Sequence, residues 1–72
     1  MIKLDINKTK EKISKLLIEC NVSPIVLSNE LNVSKTTIYK WINKANLPSL
    51  CNIVELSNIL SLPLREFVIF EK

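Results

Sequence analysis

The chain contains no glycine and no histidine. Without histidine it lacks the usual general base near neutral pH. The acids Asp5, Glu11, Glu19, Glu30, Glu55, Glu66 and Glu71 are scattered without a paired constellation, so no enzymatic activity is expected. Tetrahedral metal chemistry is equally starved of ligands, because Cys20 and Cys51 lack close spacing; neither a metal nor another cofactor is expected. Both cysteines fall where a helical apolar face takes a small residue, and they read as free, buried thiols. No apolar run approaches the ~20 residues that cross a bilayer. Met1 to Asp5 also lack the apolar core and cleavage site of a signal peptide, so the expected location is cytoplasmic, with no membrane partner. Without glycine, any left-handed turn must fall to another residue, asparagine being among the few that adopt it readily.

At 72 residues the chain is read as one domain, 1–72, built around a single core. Its net charge of +3 is unevenly placed. Residues 1–46 carry eight lysines against four acids, a balance of +4; residues 47–72 carry Arg65 and Lys72 against three acids, a balance of −1. One basic half fits a one-faced contact with phosphates, whose neutralisation releases counterions. A generic solvated surface fits the charge equally well.

Ile13, Leu16, Leu17 and Cys20 have the spacing of one helical face and predict a first helix from about Asn7 to Cys20, capped by Asp5 or Asn7. Asn21 suits the left-handed stop. Ser23-Pro24, a cap followed by proline at the first helical position, opens a second helix with the inner stripe Leu27, Ser28 and Leu31, closed by Asn32. Val33 turns inward and Ser34 caps a third helix from Lys35 to about Lys44. Its inner residues are Ile38, Trp41 and Ile42, leaving Lys35, Thr36, Tyr39, Lys40 and Asn43 outward. Pro48-Ser49 opens a fourth helix on the face Leu50, Ile53, Leu56, Ser57 and Leu60. Ser61 to Pro63 break it, and a last short helix from about Leu64 to Phe70 turns Leu64, Phe67 and Val68 to the core. Strand readings compete only at Phe67–Phe70 and Met1–Leu4. The class is all-α, a compact five-helix domain. Residues 23–44, two short helices joined by a tight turn, have the form of a helix-turn-helix unit with Asn32 where glycine is usual.

From Leu27-Ser28 through Asn32-Val33-Ser34, Ile38, Trp41, Pro48-Ser49-Leu50, Ile53, Leu56-Ser57, Leu60 and Leu64, the order of residues resembles the Cro/C1-type (XRE) helix-turn-helix family of phage and bacterial regulators. The resemblance implies a lambda-repressor-like fold whose second and third helices dock on double-stranded DNA, the third entering the major groove. It also marks departures. Ser28 stands where relatives often have alanine. Pro24 stands where they often have a phosphate-gripping glutamine. Leu17 and Ile42 stand where many place an arginine and a glutamate in a partly buried salt bridge. One such charge left unpaired would cost several kcal/mol, on the order of 3–5, whereas two packed aliphatics can be neutral or stabilising, so Leu17 and Ile42 are expected to touch.

With the third helix docked by its N-terminal part, Lys35, Thr36, Tyr39 and Lys40 are the expected base-reading residues. Ser23, Ser34, Thr37, Asn43 and Lys44 suit phosphate oxygens. Lys35 and Lys40 also fit a solvated face, and Tyr39 a ring packed across its own helix. Trp41, at the inner spacing, reads as core. One recognition helix covers only a half-site, so a homodimer is expected, with Ile59, Ile69 and Phe70 as its contact. No small-molecule ligand is indicated. The reading is a sequence-specific transcriptional regulator, a repressor of phage, mobile-element or bacterial type. The rival is a helix-turn-helix scaffold serving protein interaction, antitoxin-like, through Ile25, Val26 and the C-terminal apolar residues.

Overall fold

The structure, a computed structural model, describes residues 2–71; the Met1 end of the N-terminal strand reading and the charge of Lys72 lie outside the described residues. Four α-helices follow in order: α1 (Ile6–Glu19), α2 (Pro24–Leu31), α3 (Lys35–Ile42) and α4 (Leu50–Leu60), then a 3₁₀ turn, Leu64–Glu66. Each α-helix begins on a side-chain oxygen that accepts an otherwise orphaned N–H. Asp5 accepts from Lys8 at 3.0 Å, Ser23 from Ile25 at 3.2 Å, Ser34 from Thr37 at 3.1 Å and Ser49 from Asn52 at 3.2 Å. The choice between Asp5 and Asn7 thus falls to Asp5.

One core joins these elements. Ile13, Leu16 and Leu17 of α1, Leu27 and Leu31 of α2, Ile38 and Trp41 of α3, and Ile53 and Leu56 of α4 are buried together with Phe67. Trp41, at 3% exposure, is a core residue. Val33 and Ile42 pack partly buried against the cluster. α3 packs on both α1 and α2, and α4 on α2 and the 3₁₀ turn. α3 is thus held between α1 and α2, with α4 and the 3₁₀ turn packed on the side of α2.

The departures from the sequence reading cluster at chain ends and helix ends. The last helix, expected over Leu64–Phe70, shrinks to the three residues of the 3₁₀ turn. Beyond Phe67 the backbone is claimed by the N-terminal segment instead: Leu4 and Phe70 form an isolated antiparallel bridge, Asp5 N–H donates to Ile69 C=O at 2.7 Å, and Glu71 N–H to Lys3 C=O at 2.7 Å. Thr9, fully buried, secures the same place, its hydroxyl accepting from Ile69 N–H at 3.0 Å and donating to Ile69 C=O at 3.3 Å. The two competing strand runs therefore meet each other, in one bridge rather than a sheet. α3 stops at Ile42, before Lys44. Cys20 and Cys51 are exposed, not buried, because each lies at the rim of its helical stripe. Leu50, 69% exposed, and Leu64, 41% exposed, sit on the outer side of their first turns rather than against the core.

Candidate nucleic-acid interface

α3 is two turns long, and burial of Ile38 and Trp41 on one side forces its other side outward. Lys35, Thr36, Lys40 and the half-exposed Tyr39 occupy that outward face, and Asn43 and Lys44 continue it, all exposed. No acidic residue lies between Lys35 and Lys44. The face is therefore cationic and rich in hydroxyl and amide groups, carried by a helix whose N-terminal end leaves backbone N–H groups of Lys35 and Thr36 without intrahelical acceptors.

The hydroxyls at the helix start are partly engaged. Ser34 Oγ caps the helix and lies 3.0 Å from Thr37 Oγ1. That contact uses one of the two hydroxyl protons, so the pair keeps one donor for an outside acceptor. Ser23 Oγ, exposed at the start of α2, accepts from Ile25 and likewise retains its proton.

The far end of α3 closes on its own backbone. Lys44 takes the left-handed conformation, φ 64. Ala45 N–H reaches Lys40 C=O at 2.8 Å, Lys44 N–H reaches Trp41 C=O at 3.2 Å, and Asn43 N–H reaches Tyr39 C=O at 2.9 Å, a Schellman-type stop. This reversal is why the helix ends two residues earlier than its polar pattern indicates. It also turns Lys44 toward α1, where it shares a shallow groove with Glu11, Ser14, Lys15, Ile18 and Glu19.

A helix-turn-helix family model matches residues 13–67, a span that runs from the core face of α1 through Phe67. The chain belongs to the Cro/C1-type helix-turn-helix family. No curated protein and no solved structure gives a significant match. As a Cro/C1-type member the chain carries a DNA-binding helix-turn-helix, with α2 and α3 as the motif and Asn32, φ 55, in the turn between them. No helix among the described residues is long and apolar enough to cross a membrane.

Of the residues assigned from sequence to a dimer contact, Phe70 is 55% exposed, Ile69 is half-buried with its backbone tied to Thr9, and Ile59 is half-buried against the core. In this Cro/C1-type domain the sequence reading passed over two buried polar residues, Thr9 and Ser14. Thr9 lies four positions before Ile13, on the same helical stripe, so periodicity alone marks it as inward. Ser14 lies three before Leu17 and on the flank facing α3, which only the packing reveals.

Proposed function

We propose that this protein is a sequence-specific transcriptional regulator that reads the major groove with α3. The observation that carries the proposal is the outward face of α3: Lys35, Thr36, Tyr39 and Lys40 stand clear of the core with no acid among them, on a helix pinned from behind by Ile38 and Trp41. Lysine donates to guanine O6 and N7, and a threonine methyl meets a thymine methyl. Lys35, Thr36, Tyr39 and Lys40 are the base-reading set. Ser23, Ser34, Thr37, Asn43 and Lys44 contact phosphates, with Ser34 and Thr37 sharing one free hydroxyl proton between them. Pro24 offers neither a side-chain donor nor an N–H, which places the α2 end of the phosphate contact on Ser23.

The proposed form is a homodimer in the cytoplasm, acting as a repressor of phage, mobile-element or bacterial type. Its contact draws on Phe70 and Ile69, with Ile59 contributing only the edge it does not spend on the core. Selection from a random duplex library tests the reading. The expected product is a palindrome with half-sites about one helical turn, roughly 34–36 Å, apart. Recovery of no enriched sequence would contradict it.

One observation favours a second reading, that of a protein-interaction module. Ile25 and Val26, 54% and 48% exposed, place adjacent apolar side chains on the first turn of α2, beside the docking face. Binding through that patch would be insensitive to moderate salt, unlike binding to phosphates.

A further inference from the structure

α3 is short, and the contacts that hold it are mostly apolar. Such contacts resist separation but are non-directional, so by themselves they leave a two-turn helix free to shift along its axis or roll. A hydrogen bond is directional and fixes both. Among the described residues one hydrogen bond joins α1 to α3: Ser14 donates its hydroxyl to the carbonyl of Ile42. Ser14 is 1% exposed. The acceptor is the one carbonyl of the last turn that the Schellman closure leaves over, since Tyr39, Lys40 and Trp41 are taken by Asn43, Ala45 and Lys44. A helical serine ordinarily returns its proton to a carbonyl of its own preceding turn. Here the proton goes across to another helix, from the middle of α1, the longest of the four.

We propose that Ser14 is a positioning residue for DNA reading: it sets the axial height and roll of α3 on α1, and so the depth at which Lys35, Thr36 and Lys40 meet base edges. This rests on the reading of α3 as the groove-entering helix. Bases are discriminated by hydrogen bonds with tight geometry, whereas phosphate contacts tolerate small shifts, so the loss of Ser14 should fall on discrimination.

The experiment compares the full chain with Ser14→Ala and Ser14→Cys, the latter keeping the shape with a weaker donor. Affinities are measured for the duplex enriched by selection and for a scrambled duplex of equal length, at a temperature where circular dichroism shows each protein fully folded. The expected result is a loss of roughly tenfold on the selected duplex for Ser14→Ala, a smaller loss for Ser14→Cys, and unchanged affinity for the scrambled duplex. Equal losses on both duplexes, or no loss on either, would overturn the positioning role while leaving the DNA reading intact. If Ser14→Ala does not fold, the same comparison is made with Ser14→Cys alone, and unchanged discrimination there overturns the role. A wild-type chain that enriches no duplex overturns the DNA reading, and this inference with it.

Discussion

Every α-helix in the protein is followed by a residue of positive φ, and none of these is glycine: Asn21 at 53, Asn32 at 55, Lys44 at 64 and Ser61 at 55. A left-handed non-glycine residue costs roughly 1–2 kcal/mol, with asparagine the cheapest exception. The chain meets that cost four times. At Ser61 the turn is locked by Leu62 N–H to Ser57 C=O at 3.1 Å and by Ser57 Oγ to Leu62 C=O at 2.6 Å, so the backbone holds its shape whatever side chain Ser61 carries. Ser61→Gly is therefore expected to stabilise the fold by about 1 kcal/mol, read as a higher urea midpoint at unchanged slope. A lower midpoint would show that the serine side chain itself stabilises the turn. Asn21 and Asn32 were legible as stops because asparagine tolerates this conformation. Lys44 was not, since its backbone is set by the closing hydrogen bonds rather than by residue type; at Ser61 the break before Pro63 was legible, but not the left-handed backbone. The roles proposed for Lys40 and Lys44 also separate at this scale. Lys40→Ala should blur particular base positions in a selection, whereas Lys44→Ala should weaken all duplexes similarly; sequence-blind losses from both would contradict the assigned roles.

Among the elements, α1, α2 and α4 were legible almost to their ends because period, cap and stop agree. Ser23-Pro24, Ser34 and Ser49 each announce a start that the structure shows as a bonded cap. The last segment was not legible. Leu64, Phe67 and Val68 have helical spacing, but residues beyond Phe67 gain more by pairing with Lys3 to Asp5 and the Thr9 hydroxyl, a contact between chain ends that no local window contains. The seam between α1 and α3 carries the expectation that Leu17 meets Ile42. Leu17, 3% exposed, lies one turn beyond Ser14, and Ile42, whose carbonyl accepts from Ser14, packs on the same core. A double-mutant cycle of Leu17→Ala and Ile42→Ala should give a coupling of about 0.5–3 kcal/mol in unfolding free energy. Additivity within about 0.3–0.5 kcal/mol would place them out of contact.

On the scale of the whole molecule, charge and core divide the labour. The basic half of the chain holds α1, α2 and α3, while α4 and the C-terminal segment hold the near-neutral half and complete the core through Ile53, Leu56 and Phe67. This division was visible in the sequence. The bridge between Leu4 and Phe70 was not, nor was the groove that Lys44 shares with α1, because both depend on how distant segments meet. What the division means for function is decided by salt. If the outward face of α3 meets phosphates, each neutralised phosphate releases counterions, and affinity must fall linearly on a double-logarithmic scale. The decisive measurement is a fluorescence-anisotropy titration of the selected duplex at salt concentrations from about 50 to 200 mM. A steep decline, on the order of a hundredfold or more across that range, is the expected result. A flat response, or no binding in the most dilute buffer, would contradict the assignment of that face to DNA.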